Sequence, residues 1–164
     1  MYKKNAFFTG AIISDYSRKM ELKKNTITPK EVLDIMTARD GFSKWLGLEI
    51  DEVRLGYCRL HYTVRGEMLN GFASLHGGVL FSASDSAFAF ACNSHGRITV
   101  ALDVSISFTR PAGEGNVLTV EAQEIFLGNK TGVYDIRTTN AAGELVAVFK
   151  GTAYRTSAMV KSEP

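Results

Sequence analysis

Cysteine is nearly absent from the chain. Its 164 residues include two, Cys58 and Cys92, each inside an apolar run. Two such residues offer no disulfide framework and read as reduced core thiols. No CxxC pair or His/Cys cluster is present to hold zinc, and the three histidines, His61, His76 and His95, are too scattered to form a metal-ligand group by spacing. An excess of one charge is also missing: 19 Lys and Arg stand against 17 Asp and Glu, a formal charge of +2. With no dense basic stripe among aromatics, nucleic acid is not expected as a main partner. No run approaches the roughly 20 apolar residues of a membrane span. The N-terminus follows its lysines with AFFTGAII, but Thr9 and Gly10 interrupt this stretch and no A-x-A-like cleavage site follows, so it is a weak match to a signal peptide. The expected compartment is the cytoplasm. Residues 1–28 read as a variable arm, with Met20 as an alternative start; residues 29–157 read as one domain and 158–164 as a tail.

What is present is a globular composition, 45% apolar and 22% charged, in a chain long enough to bury a substantial core. Thr28-Pro29 predicts a helix start, with Thr28 as N-cap, Glu31 in the first turn, and Val32, Leu33 and Met36 at helical spacing. GFSKWLG predicts a second short helix. LEIDEVRLG and YCRLHYTV read as strands joined near Gly56. Residues 66–76 read as a loop and residues 77–94 as a long helix, too long for a strand and poor in β-branched residues. VALDVSISF alternates, with Val100, Leu102, Val104, Ile106 and Phe108 on one face and Ala101, Asp103, Ser105 and Ser107 on the other, which predicts a half-buried strand. VLTVEAQEIF, GVYDIRTTN and LVAVFKGTAYR read as three more strands, so four strands in meander are expected to close the chain. A helix apolar nearly all round must be surrounded. An α+β fold follows, a curved antiparallel sheet wrapped round one long helix.

That helix raises a chemical question. Its only charge is Asp85, between Ala and Ser on one side and Ala and Phe on the other. Burying an unpaired carboxylate costs several kcal/mol or forces it to hold a proton. Either Ser82, Ser86 or the backbone satisfies it, or it works. At the helix start stand His76-Gly77-Gly78. Glycines there let a ligand approach the backbone, and the first N–H groups, which lack intrahelical partners, can hold an anion or a developing oxyanion; alternatively the pair only makes a turn. Gly77 and Asp85 are eight residues apart, about 12 Å along the axis. A catalytic group must come within roughly 3 Å of the reacting atoms. The two can serve one carbonyl only if two chains set these helices antiparallel, so joint catalysis implies a dimer with shared sites.

The run LNGFASLHGGVLFSASDSAFAFACNSHG, with ISFTRPAGEGNVLTVEAQ, GNKTGVYDIRTTN and LVAVFKGTAYR after it, resembles the hotdog-fold thioesterases of the phenylacetate-degradation type, the PaaI family of the 4-hydroxybenzoyl-CoA thioesterase superfamily. The resemblance spans roughly residues 30–156. It implies a hydrolase that splits acyl-CoA thioesters, often aryl-acetyl or hydroxylated aryl-acetyl ones, without a cofactor, since coenzyme A is part of the substrate. It implies that Asp85 activates water or attacks the carbonyl and that the Gly77 N–H polarises that carbonyl. By the same resemblance Asn70 helps to place the water or nucleophile, His76 supports the thioester end, and hotdog dimers commonly pair into tetramers. Some relatives carry a Ser or Thr where Ala101 stands, which removes a hydroxyl that would orient water; Thr99 and Ser105 are expected on its face. Gly78, by its position, is a candidate for close approach of substrate. Arg97, Arg110 and Lys130 could pair with CoA phosphates, against ordinary solvation of surface cations.

The remaining singled-out residues have plain readings. His61 belongs to a solvated strand face with Tyr57, Arg59 and Thr63. Phe81, Phe88 and Phe90 are core, although one can touch an acyl group, and Asn93 caps the helix end or turns the chain. Two other functions compete. A hotdog hydratase or dehydratase needs a His and a carboxylate at one carbon; His76 and Asp85 are too far apart within one chain, although a dimer could bring them close. A non-catalytic acyl-CoA-binding protein fused to a DNA-binding module does not fit a 28-residue arm.

Overall fold

The computed structural model describes residues 27–161. The expected arm, apart from Ile27 and Thr28, and the last three residues lie outside the described residues. Helix α1 (Pro29–Ala38) opens as its sequence predicts. The Thr28 hydroxyl accepts from the Glu31 N–H, and the Glu31 carboxylate accepts from the Thr28 N–H at 2.7 Å, so two otherwise unpaired donors are satisfied reciprocally. Helix α2 (Gly41–Leu46) is capped by Asp40, which accepts from the Ser43 N–H at 2.9 Å, and ends at Gly47 with φ 72°, where a side chain would be strained. Helix α3 (Gly77–Asn93) is the long apolar helix.

Six strands follow the expected segments: β1 (Glu49–Arg54), β2 (Tyr57–Thr63), β3 (Arg97–Phe108), β4 (Val117–Leu127), β5 (Thr131–Asn140) and β6 (Leu145–Met159). The last strand runs two residues past the expected domain end at 157. All pairings are antiparallel, in the order β1-β2-β4-β5-β6-β3. The expected four-strand meander is therefore corrected to three strands, β4-β5-β6. β3 lies at the far edge beside β6, because the connection over residues 109–116 is not a hairpin. It passes the start of α3, where the Leu75 N–H donates to the Ala112 carbonyl, and ends beside β2, where Val64 and Asn116 are bonded. Such a connection is longer than the two to five residues typical of hairpin loops.

The sheet curls round α3, which contacts all six strands. Phe88 packs edge-on to Tyr134 and Phe81 edge-on to Phe149, both at 5.3 Å between centroids. Phe88 and Phe90 are buried and Phe81 partly so, as core residues should be. Burial pushes the thiols of Cys58 and Cys92 up to about 12, consistent with unreactive core cysteines.

β3 corrects a second expectation. Its register against β6 skips one residue: Ala101 pairs with Ala153 and Asp103 with Thr152, leaving Leu102 as a bulge. A bulge reverses the alternation beyond it. Ala101 thus shares the helix-facing side with Val104, Ile106 and Phe108, opposite buried Ala153, Gly151, Phe149 and Ala147. Val100 faces outward with Tyr154. Thr99 stays on the face of Ala101, but Ser105, paired with exposed Lys150, does not. The strand is also more exposed than expected, because its outer edge has no partner among the described residues: Val100 is 49% and Leu102 61% accessible.

Candidate active site

At its N-terminus α3 is shaped by a loop. The Asn70 Oδ1 accepts from the N–H groups of Phe72 (2.9 Å) and Ser74 (3.3 Å), and Leu69 bridges Leu75, so the Asn70 side chain holds the turn that delivers the chain to the helix. The His76 N–H donates to the Met68 carbonyl, and the His76 Nδ1 accepts from the Gly78 N–H at 2.9 Å. An accepting Nδ1 carries no proton, so the neutral ring has its hydrogen on Nε2. Gly78 is thereby capped, whereas the Gly77 N–H has no acceptor among the described residues. That free amide opens into a cleft of about 320 Å³ walled by Ser74, Leu75, Leu80 and the segment from Phe108 to Ala112. A Cβ on Gly77 would stand 3.1 Å from the Phe108 ring, so a side chain there would press on that ring as well as crowd the approach to the backbone.

Asp85 lies two turns on. It is half-buried and has neither hydrogen bond nor ion pair among the described residues, and desolvation raises its pKa above the ordinary carboxylate value. The groups that might have satisfied it are engaged elsewhere: the Ser82 hydroxyl donates to the Gly78 carbonyl at 2.8 Å, and the Ser86 Oγ lies 3.3 Å from the Ser43 Oγ. At 100° per residue, Gly78, Ser82, Asp85 and Ala89 form one stripe of α3, and none of them is buried. The helix is therefore not surrounded within one chain, as its composition suggested; one stripe is open and Asp85 is its only charge.

The proposed phosphate contacts divide. Arg110 belongs to the cleft beside Gly77 and pairs loosely with Glu144 at 3.3 Å. Arg97 sits past the other end of α3, where its guanidinium donates to the carbonyls of Thr156, Asn129 and Arg155 and so ties strand ends together. Lys130 is at that same end, 5.9 Å from the Tyr154 ring. The structure thus brings His76, Gly77, Gly78, Asn70 and Arg110 to one end of α3, keeps Asp85 apart on the open stripe, and sets Arg97 and Lys130 at the opposite end. His61 lies on the outer sheet face, 2.9 Å from an Asp51 oxygen. Phe108 was read only as a strand residue; its place just before Arg110-Pro111 was the available hint that it closes over the helix start. No group of three potential metal ligands occurs, and no helix is long and apolar enough to cross a membrane, among the described residues.

Comparison with known proteins agrees with this architecture. The sequence profile of the thioesterase superfamily matches residues 72–147. The acyl-coenzyme A thioesterase PaaI of Escherichia coli is 42% identical over 128 residues, 78% of this chain and 91% of that one. The structure of E. coli PaaI superposes with a TM-score of 0.79, covering 81% of this chain and 96% of the other. An asparagine-to-aspartate variant of PaaI from Thermus thermophilus superposes at 0.69 with 35% identity, covering 71% and 100%. A hypothetical thioesterase protein of Streptococcus pneumoniae, solved with coenzyme A, superposes at 0.67 with 28% identity, covering 69% and 88%. The chain belongs to the thioesterase superfamily, among the hotdog-fold acyl-CoA thioesterases of the PaaI kind.

Proposed function

We propose that this thioesterase acts on aryl-acetyl-CoA or hydroxylated aryl-acetyl-CoA, at sites shared between two chains. The observation that carries the reading is the unpartnered Asp85 carboxylate on an otherwise uncharged open stripe of α3. A carboxylate so placed is available as a base toward water or as a nucleophile toward a thioester carbon. As base, it takes a proton from water as the water oxygen bonds to the acyl carbon and the carbonyl oxygen gains negative charge; that oxyanion then collapses to C=O, the C–S bond breaks, and the proton held by Asp85 passes to the leaving thiolate, releasing the acid and CoA thiol. The developing oxyanion needs a fixed donor, and the free Gly77 N–H at a helix start is suited to it.

The separation of about 12 Å along one helix assigns these roles to different chains. The open edge of β3 favours this arrangement. An antiparallel partner β3 would extend the sheet, bury Val100 and Leu102, and set the two α3 helices antiparallel with open stripes facing. Two such dimers making a tetramer follows from the resemblance. His76 orients the helix start through its cap, Asn70 holds the loop with its Nδ2 unpaired among the described residues and so available to water, and Gly78 and Arg110 flank the thioester and phosphate ends. Arg97 and Lys130 lie where phosphates could be met only from a partner's site. In variants of the Streptococcus pneumoniae protein, an aspartate or a threonine sixteen positions further on is replaced by alanine. Ala101 stands sixteen positions after Asp85, so here the water is oriented without that hydroxyl. A hydratase is disfavoured, since His76 Nδ1 is engaged by its cap and no other histidine lies on the open stripe.

The test is thiol release from phenylacetyl-, 4-hydroxyphenylacetyl-, benzoyl- and straight-chain acyl-CoAs. The aryl-acetyl thioesters should have the highest kcat/KM. A preference for long straight chains would overturn the substrate assignment, and hydration of an enoyl-CoA without thiol release would overturn the reaction.

A further inference from the structure

On α2, whose Ser43 meets Ser86 next to Asp85, stands an aromatic pair that neither the core nor the catalytic groups use. Phe42 and Trp45 of α2 are 53% and 51% exposed, although each carries a large ring, and they stack with centroids 5.9 Å apart and planes 21° from parallel. They share one face of α2, three residues apart, while Ser43 and Leu46 are buried on another. That buried face seats α2 beside the site: Ser43 touches Ser86, the residue after Asp85 and one step round the helix from the open stripe. The helix is held firmly from its other end. Arg65 donates to the carbonyls of Trp45 and Leu46 at 2.7 and 3.1 Å, and its guanidinium carbon lies 5.7 Å from the centroid of the Trp45 ring. Arg65 in turn begins the segment that runs through Asn70 to Gly77. The stacked pair is thus braced in advance, on a helix whose buried face meets the residue after Asp85.

Resting on the thioesterase reading, we infer that Phe42 and Trp45 form the wall that selects an aromatic acyl group, by stacking against the ring of the substrate beside Asp85. Two half-exposed rings offer an apolar face and an edge for a third ring, and pre-ordering spares the loss of side-chain freedom on binding. An acetyl group is too short to reach both rings, and a long flexible chain gains less from a flat wall. The pair is therefore a specificity-determining element, with no part in proton transfer or oxyanion stabilisation.

Trp45 is the sole tryptophan of the chain, so its emission reports the wall directly. Wild-type protein is titrated with the thioether S-(2-phenylethyl)-CoA, with S-ethyl-CoA and with CoA, none of which can be hydrolysed. The phenyl compound alone should shift and quench the emission, saturably. In parallel, Phe42→Ala/Trp45→Ala should lower the ratio of kcat/KM for phenylacetyl-CoA to that for acetyl-CoA about tenfold, the worth of one to two aromatic contacts. An equal response to CoA alone would place adenine on the rings and overturn the inference. So would unmoved emission with an unchanged ratio, or dissociation of the double variant into monomers with the ratio retained, which would make the pair a contact between chains; in each case the thioesterase itself stands. Absence of thiol release from every acyl-CoA by the wild type would instead remove the thioesterase reading and this inference with it.

Discussion

The two ends of α3 are treated oppositely. At the C-terminal end the side chains of Asn93, Ser94 and His95 are all engaged in the fold. The Asn93 Nδ2 donates to the Thr99 carbonyl at 2.9 Å while its Oδ1 accepts from the Thr99 N–H at 2.9 Å, so one side chain pairs with a backbone as a neighbouring strand would. The Ser94 hydroxyl donates to the Ala91 carbonyl and accepts from the Gly56 N–H. The Glu124 carboxylate takes both His95 Nε2, at 2.7 Å, and the Tyr134 hydroxyl, at 2.8 Å. Among the described residues, the Gly77 amide at the N-terminal end is unpaired beside a cleft, and two turns on Asp85 has no partner. Unsatisfied buried groups are destabilising, and folds ordinarily remove them. The free amide at the start of α3 and the lone acid on its open stripe mark the part of the helix left for chemistry, apart from the part that holds the fold together.

Asp85→Asn should have the largest effect on activity. It keeps the shape and removes the base, so kcat should fall about 100-fold or more. Stability should move the other way. Because desolvation raises the folded-state pKa of Asp85, the stability linked to its proton is present below the unfolded-state pKa and lost as pH rises through the raised folded value. The variant escapes that loss, so it should melt above the parent at neutral pH, with the difference vanishing in acid. If Asp85 is the base, the acid limb of kcat/KM should inflect above the usual aspartate value of about 3.9. Near wild-type turnover in the purified variant would remove Asp85 from catalysis.

The next effect sharpens the claim that the open groups belong to two chains. Asp85→Ala lacks the acid, and Gly77→Val, whose added carbon meets the Phe108 ring, should block the amide. Each should be inactive alone. Unfolded and refolded together, they should regain activity, since a mixed dimer has one site with both defects and one with neither. Random pairing makes half the dimers mixed, so the ceiling is about a quarter of wild type. Heterodimers demonstrated by mass spectrometry but silent in the assay would place acid and amide in one chain.

The smallest effect on chemistry belongs to the closed end. Asn93→Ala strips the Thr99 backbone of both partners and should destabilise by about 2 kcal/mol, lowering Tm by about 4–8 °C for a chain of this size. Activity per folded molecule should fall far less than for Asp85→Asn. A variant that melts normally but is inactive would contradict the division between the two ends.

Much of the helix reading was legible because its causes are local. The Thr28 cap with Glu31 in the first turn and the start of α3 at Gly77 depend on bonds reaching two to four residues; the Asp40 cap is equally local but was not read. The lone charge of Asp85 and its distance from Gly77 follow from composition and helix rise. Asn93 was read as a cap or turn residue, and its spacing to Thr99 makes that role, but its two-way pairing needed β3 in place. Strand order was read wrongly, because alternation says that a segment is a strand and not which strand lies beside it. The Leu102 bulge was invisible for a related reason: VALDVSISF alternates without a break, and only pairing with β6 leaves one residue over.

The sequence by itself determined that this chain would wrap strands round one apolar helix, with a single acid on that helix and an exposed amide at its start. Those outcomes rest on torsional preference, hydrogen-bond reach and burial of apolar side chains, which act over a few residues. Only the tertiary structure decided that Ser82 and Ser86 bond elsewhere and leave Asp85 alone, and that Arg97 is bound to carbonyls while Arg110 faces the cleft. It also decided that α2, which carries Phe42 and Trp45, sets its Ser43 against Ser86. Each of these depends on which distant residues the curled sheet brings within about 3–6 Å, a selection made by the packing of the whole chain.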